Sequence, residues 1–197
     1  MRTLEFKSEF KQKENSLETM EIFVPLAYYI GAYRIKSELE DISFGYLYPK
    51  EYKDIEERLN NKKIENESCL NEMLLNIEEI LNIESIPHEI KVRTKNIYGI
   101  YKRLDSGHKK IYDIHDLLSL KIMVDEIDNC YRTLGIIHQE YHPINDKFKD
   151  YICNPKTNMY KSLHTTVFGP DDRLVQTQIR TFDMDKVASF GLSTYWD

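Results

Sequence analysis

The sequence has few cysteines, no excess of positive charge and no long apolar run. Cys69, Cys130 and Cys153 are odd in number and lack metal-ligand spacing, so they predict free thiols in a reducing cytoplasm rather than a disulfide framework. No apolar stretch approaches the roughly 20 residues that span a bilayer. The charged N-terminus also lacks the apolar core of a signal peptide. We therefore expect a cytoplasmic protein without a membrane segment.

The charge balance argues against a general nucleic-acid binder. The chain of 197 residues carries 27 lysines and arginines against 33 acids, a formal net charge of −6. Positive charge is nevertheless concentrated around a single acid, Asp105, in the set Lys91, Arg93, Lys95, Lys102, Arg103, Lys109 and Lys110. This concentration suits a small polyphosphate, and it is equally typical of a solvated basic face.

The stretch Asp150–Val167, DYICNPKTNMYKSLHTTV, gathers side chains suited to a phosphorylated nucleotide. Lysine binds phosphate, an aromatic ring stacks on a base, and an amide can hydrogen-bond a base edge. The residues of these types are Lys156, Asn158, Tyr160, Lys161 and His164.

The residues that follow predict a β-hairpin. Ser162–Phe168 and Leu174–Thr181 have strand patterns, and Gly169–Asp172 has the composition of a turn. Because side chains alternate along a strand, pairing of the apolar faces puts four side chains on one polar surface. They are His164, Gln176, Gln178 and Arg180. On spacing alone, an ordinary hairpin with a solvated outer face is the simpler interpretation.

Hydrophobic periodicity predicts an α+β fold, with a mixed β-sheet flanked by helices and preceded by a helical segment. Met1–Asn15 is polar and is predicted to be a flexible N-terminus. Residues 16–63 form the helical segment, which ends in a linker at Asn60–Lys63, and residues 64–197 form the main domain. Helices are expected at 33–47, 50–60, 66–81, 94–104, 128–141 and 184–195, and strands at 86–93 and 118–124 besides the hairpin.

The segment NPKTNMYKSLHTTVFGP, followed by VQTQIRT, resembles the synthetase domain of the RelA/SpoT family of alarmone enzymes. The resemblance extends upstream through KVRTKNIYGIYKRL, IHDLLSLKIMV and CYRTLGIIHQEYHPINDKFKD, and covers roughly the second half of the chain. Glu21–Ile55 resembles, more weakly, the helices that join hydrolase to synthetase in long members. The resemblance implies a nucleotidyltransferase-like fold and Mg²⁺-dependent transfer of pyrophosphate from ATP to the 3′-hydroxyl of GDP or GTP in bacteria.

The resemblance also implies roles for individual residues. Arg93, Lys95 and Arg103 match residues that hold ATP, and Asp116 matches the magnesium ligand. Lys121 stands where an arginine usually stacks on adenine. On the acceptor side, Tyr160 matches the residue that stacks on guanine, and its neighbours around GDP or GTP are Lys149, Lys156, Asn158 and His164. The predicted catalytic positions are Asp116, Gln176 and His164.

Gln176 is the largest departure from the family pattern, which has a glutamate implicated in magnesium binding and in activation of the 3′-hydroxyl. An amide does not accept a proton at neutral pH and is a weaker ligand for a hard cation. General-base catalysis typically contributes ~10²–10⁴-fold, so binding can persist while turnover is almost lost. Val92 and Thr94 also replace the glycine and proline that are common beside Arg93.

The leading hypothesis is a (p)ppGpp synthetase domain, and two alternatives remain open. One is a catalytically impaired nucleotide-binding relative, and the other is a pyrophosphokinase with a different acceptor such as tRNA. The resemblance leaves a homo-oligomer open, because small relatives often assemble into tetramers. No hydrolase domain precedes Glu21, so we expect either a small protein with a single activity or a truncated long member.

Overall fold

The computed structural model describes residues 1–61, 63–107, 111, 114, 117–191 and 194. The helices are α1 (Glu9–Glu18), α2 (Val24–Tyr29), α3 (Tyr33–Leu47), α4 (Pro49–Asn61), α5 (Lys63–Ile83), α6 (Ile97–Asp105), α7 (Ile127–Glu140) and α8 (Phe182–Phe190). The strands are β1 (His88–Thr94), β2 (Leu118–Val124), β3 (Lys149–Asp150), β4 (Leu163–Phe168) and β5 (Leu174–Thr181). A π-helical turn, Thr19–Phe23, joins α1 to α2.

The five strands form one mixed sheet in the order β1-β2-β5-β4-β3. β2 and β5 are parallel, and the other neighbouring pairs are antiparallel. β1 lies at an edge, as Pro87 in its predicted range indicates. The mixed sheet with flanking helices confirms the predicted α+β fold.

One face of the sheet packs into the hydrophobic core. Leu120 and Ile122 of β2 lie beside Thr177 and Ile179 of β5, and all four are fully buried. The helices α5 and α7 pack against this face. Strand alternation therefore sends the polar positions to the opposite face, where His164 pairs in register with Gln178. The predicted polar surface of the hairpin is confirmed.

The N-terminal residues include a helix that their composition does not predict. Glu9–Glu18 is helical, whereas the polar composition predicts a flexible terminus. Three contacts accompany this helix: Leu4 is 3% exposed, the Gln12 amide donates to Leu4 O and Lys7 O, and Arg2 pairs with Glu38 of α3.

The linker expected at Asn60–Lys63 is replaced by helix at the residues described there. Asn60 and Asn61 end α4, Lys63 begins α5, and Lys62 lies outside the described residues. Phe44 and Ile55, from the first part of the chain, belong to the same core cluster as the buried residues of the sheet. The division of the chain at residue 63 stays a prediction, but the packing is continuous across it.

Two helices begin earlier than predicted. Glu126, not Asp128, is the N-cap of α7, because Asp125 Oδ1 accepts from the backbone N–H of Glu126 and fixes the turn into the helix. Thr181 caps α8, its hydroxyl accepting from Met184 N at 3.2 Å. The end of the predicted last helix, at Tyr195, lies outside the described residues.

The corner between α2 and α3 is held between two other parts of the chain. Gly31, at a φ of +80°, approaches the carbonyl oxygen of Asn158, and Gly191, at a φ of +69°, lies against Ile30 and Ala32. A Cβ at Gly191 would overlap the Ile30 carbonyl oxygen and lie 2.9 Å from Ala32 N. Glycine is required at Gly191 for both space and conformation.

We expect Gly191→Ala to lower the free energy of unfolding by about 2–4 kcal/mol, because it adds steric overlap to a left-handed backbone. Gly135→Ala is the matched control, since a Cβ there meets nothing within 4 Å and lies inside α7. It should stabilise the protein by about 0.4–1 kcal/mol. Urea denaturation measures the free energy of unfolding of both variants. Equal changes in the two would contradict the close packing of this corner.

Candidate functional site

A cleft of about 810 Å³ lies over the polar face of the sheet. Its walls come from α3, α8, the segment between β1 and α6, and the chain around β3. Among the described residues, nine basic side chains and two carboxylates, Asp146 and Asp185, line it. The basic residues are Arg34, Arg93, Lys95, Arg103, Lys121, Lys147, Lys149, Lys156 and Arg180. A protein of net charge −6 therefore concentrates positive charge in one place.

One end of the cleft carries three of the four predicted ATP-binding residues. Arg93 is on β1, Lys95 follows that strand, and Arg103 is on α6, and all three line the cleft. The structure therefore brings them together, as expected from their spacing in the sequence. Their guanidinium and ammonium groups suit a polyphosphate.

The helical segment fixes the start of α6. The Asp41 carboxylate, on α3, accepts from the backbone N–H groups of Ile97 and Tyr98 at 3.2 and 2.9 Å, and the Asn96 amide donates to it. A carboxylate at a helix N-terminus satisfies donors that the helix itself leaves unpaired. Burial raises the pKa of Asp41, and these three hydrogen bonds act in the opposite direction. The orientation of the basic helix thus depends on α3.

Lys121 lines the cleft but is already paired. Its Nζ lies 2.8 and 3.1 Å from the two carboxylate oxygens of Asp185, on α8. Asp185 also lies 3.7 Å from Nε of Arg180. The ion pair holds α8 over the sheet and occupies the lysine that stands at the predicted adenine-stacking position.

Aromatic rings form the other end of the cleft around Tyr160. This residue is only 7% exposed. Tyr33 of α3, Tyr151 and His164 meet its ring edge-to-face, with centroids 5.4, 6.1 and 5.7 Å away. Its hydroxyl lies 2.7 Å from His164 Nε2. The predicted guanine-stacking residue is therefore held among aromatic and basic groups rather than aliphatic ones.

Lys156 lies between two of these rings. Its Nζ is 4.7 Å from the Tyr151 ring centroid and 4.9 Å from that of Tyr160. Within the described ranges no carboxylate pairs with it, and burial lowers its pKa. A half-buried ammonium whose contacts are aromatic is suited to receive an anion. Because Tyr160 is so little exposed, a base can stack on its ring only if a neighbouring side chain moves aside.

Asn158 does not line the cleft. Its amide donates to the Tyr28 carbonyl at 3.2 Å and to the Tyr33 hydroxyl at 2.8 Å. It therefore fastens the loop that carries Tyr160 to the helical segment. The predicted contact of Asn158 with the acceptor nucleotide stays a prediction.

Gln176 lies on the floor of the cleft within a chain of amides. Its Oε1 accepts from Gln178 Nε2 at 2.9 Å. Gln178 Oε1 in turn accepts from Arg180 Nη2 at 2.7 Å and, more weakly, from Arg93 Nη1 at 3.4 Å. The register places Gln176 beside Ser119 of β2 and Thr166 of β4.

The predicted metal ligand, Asp116, lies outside the described residues, as does its neighbour His115. In the part of the chain that the structure describes, no group of three or more histidine, cysteine, aspartate or glutamate side chains could hold a metal ion. The structure therefore leaves the predicted role of Asp116 as a prediction.

Fourteen lining residues are not among the predicted site residues. Gln178 and Arg180 have a signal in the sequence, since they share the alternation of Gln176. The helical segment and α8 carry no local pattern that marks their members of this set, and Tyr151 differs little from the other tyrosines of the chain. The fourteen are Tyr33, Arg34, Ser37, Asn96, Ser119, Asp146, Lys147, Tyr151, Thr166, Gln178, Arg180, Asp185, Ala188 and Ser189.

No helix formed by the described residues is long and apolar enough to cross a membrane. This agrees with the absence of a long apolar run in the sequence.

Curated proteins of related sequence align with the whole chain. A GTP pyrophosphokinase of Myxococcus xanthus is 39% identical over 196 residues, which is 100% of this chain and 26% of that protein. A guanosine-3′,5′-bis(diphosphate) 3′-pyrophosphohydrolase of Aquifex aeolicus is 40% identical over 197 residues, 100% of this chain and 28% of that protein. The chain thus spans about a quarter of the length of these relatives, and the similarity includes the helical segment.

Solved structures share the fold. The small alarmone synthetase 2 of Bacillus subtilis superposes with a TM-score of 0.58 and 28% identity, over 70% of this chain and 79% of that one. The small alarmone synthetase 1 of the same organism, bound to its product pppGpp, gives 0.58 over 72% of this chain and 83% of that one. Its identity of 20% shows the fold alone.

The family profile described as the region found in RelA and SpoT proteins matches residues 92–197. This range begins in β1 and includes the sheet, the basic end of the cleft and the aromatic end. Because the match covers more than half of the chain and the fold agrees with it, the chain belongs to the RelA/SpoT family.

Proposed function

We propose that this chain transfers pyrophosphate from ATP to the 3′-hydroxyl of GDP or GTP. One observation carries the proposal: a single cleft with a basic end and an aromatic end, in a member of the RelA/SpoT family. Its volume, about 810 Å³, is at the upper end of the roughly 300–1,000 Å³ typical of small-ligand pockets. A cleft of this size suits two nucleotides side by side.

The donor nucleotide is assigned to the basic end. Phosphoryl-group transfer depends on positioning and on positive charge around the phosphates, since the protein itself contributes little covalent chemistry. Lys95 and Arg103 would bind the ATP phosphates, and the exposed guanidinium of Arg93 would also stack on adenine. Lys121 is paired with Asp185, so it would contribute charge rather than stacking.

The acceptor nucleotide is assigned to the aromatic end. Guanine would stack on Tyr160 once Lys156 moves from its place near the ring toward a phosphate. Lys149 pairs in register with His164, so its ammonium is near the same end. His164 is coupled to Tyr160 through the 2.7 Å contact of their polar atoms, which supports a role in holding the ring.

Mg²⁺ is proposed to bind the donor phosphates together with Asp116, outside the described residues. Mg²⁺ usually takes one or two protein carboxylates and leaves its other positions to phosphate and water, so a cage of acids is not required. Of the two carboxylates among the described lining residues, Asp185 is already paired with Lys121 through both of its oxygens. When bound, the ion would neutralise charge that develops on the phosphates.

A second candidate function is nucleotide binding without turnover. The observation that favours it is the hydrogen bonding of Gln176, whose only acceptor oxygen is already used by Gln178. A neutral amide does not take up a proton at neutral pH, and its oxygen is a weaker ligand for a hard cation than a carboxylate. Under this alternative the cleft would act as a sensor of guanine nucleotides.

The reaction is tested by incubating the purified protein with ATP, GTP and Mg²⁺ and following pentaphosphate and AMP by anion-exchange chromatography. We expect slow formation of equal amounts of both, and a rate about 10²–10⁴-fold higher for Gln176→Glu, which restores an acid on the cleft floor. Gln139→Glu, on the exposed side of α7, is the control for added charge. Product from Gln176→Glu alone supports the second candidate, and none from either protein contradicts the proposed reaction.

The acceptor assignment is tested by Tyr160→Leu, which removes the stacking surface. We expect about 5- to 150-fold weaker binding of GDP and little change for a non-hydrolysable ATP analogue, measured by calorimetry. Tyr160→Phe keeps the ring, so its loss of affinity for GDP should be smaller. Tyr29→Leu is the control, since Tyr29 is 77% exposed. Equal losses for both nucleotides, or none for GDP, would contradict the assignment.

A further inference from the structure

The orientation of the Gln176 amide is fixed by the hydrogen bonds of Gln178, two positions further along β5. Arginine has only donors, so the atom of Gln178 that faces Arg180 at 2.7 Å must be its oxygen. The weaker contact from Arg93, at 3.4 Å, points to the same oxygen. The amino group of Gln178 is then left to face Gln176, and that contact, at 2.9 Å, must meet the oxygen of Gln176.

The same logic determines what Gln176 presents to the cleft. With its oxygen used by Gln178, the remaining polar atom is the amino group, a donor with two hydrogens. Gln176 lines the cleft, and no other residue in the described ranges accepts from this group. A half-buried donor without a partner is suited to an acceptor oxygen that a ligand brings.

Arg180 keeps this arrangement in place. It is 3% exposed, and its Cζ lies 5.3 Å from the Tyr160 ring centroid. Among the described residues its Nε has no hydrogen-bond partner, although Asp185 lies 3.7 Å away. The Arg180 guanidinium is buried against a ring and cannot rotate freely. The hydrogen bonds that run from it through Gln178 to Gln176 therefore start from a fixed group. The orientation is therefore built into the floor of the cleft.

We propose that Gln176 is a positioning residue that donates a hydrogen bond to a phosphate or hydroxyl oxygen of a bound nucleotide, oriented by Gln178 and Arg180. This proposal rests on the proposed nucleotide site and deepens it. It replaces a metal ligand or base at this position with an anion-binding donor. Nucleotide binding at this point is then independent of Mg²⁺.

The first test is the affinity of the whole chain for GDP and for a non-hydrolysable ATP analogue in excess EDTA. Gln176→Met keeps the length of the side chain and removes the donor. We expect at least one of the two nucleotides to bind about tenfold more weakly, the loss of one hydrogen bond to a charged group. Gln139→Met on α7, at the opposite face of the sheet, should bind both as the unchanged protein does.

The second test reverses the amide. In Gln178→Glu the side chain only accepts, so Gln176 must turn its amino group toward it and its oxygen toward the cleft. The added charge alone weakens binding too, and the same substitution in the Gln176→Met background measures that part. We expect Gln178→Glu to weaken nucleotide binding by a factor about ten times larger in the unchanged background than in the Gln176→Met background. Thermal unfolding confirms that each variant is folded.

Three results would overturn the proposal. The first is equal losses from Gln178→Glu in both backgrounds, which would make charge the whole effect. The second is a Gln176→Met variant that binds both nucleotides normally in EDTA and more weakly only with Mg²⁺, which would make Gln176 a metal ligand. The third is no nucleotide binding by the unchanged protein, which would remove the proposed function as well. In the first two cases the proposed function stands.

Discussion

The contact of the α2–α3 corner with two distant parts of the chain holds the cleft in shape. Gly31 and Gly191 allow the backbones to meet, and the Asn158 amide ties the loop that carries Tyr160 to Tyr28 and Tyr33. Without this corner, Tyr160 would lose the ring of Tyr33 beside it, and the loop that carries it would have no support from the helices. The helical segment is therefore part of the site rather than an appendage to it.

Positive charge is the second constraint on the cleft. Nine basic side chains around one cavity repel one another, and each needs a compensating partner or water. Asp185 compensates Lys121, and aromatic rings surround Lys156. Under the proposed function, the phosphates of a ligand would replace these internal partners. The negative net charge of the whole protein limits this attraction to the cleft itself.

The sequence predicts the sheet and its polar face well, because the alternation in the hairpin is a local property that Gln176, Gln178 and Arg180 share. It also predicts that the basic residues near Arg93 come together, since only one turn separates their elements. It does not predict the helix at Glu9–Glu18, the cap that Asp41 gives to α6 or the pairing of Asp185 with Lys121. The cap and the ion pair join residues far apart in the chain, and no periodicity records them.

We propose that one cleft holds two nucleotides at once, one at its basic end and one at its aromatic end. Calorimetric titration of the unchanged protein with GDP, in the presence and absence of a saturating non-hydrolysable ATP analogue, tests it most directly. We expect one GDP per chain in both cases, with the analogue still bound. Competition between the two nucleotides for a single site, or no binding of either, would contradict it.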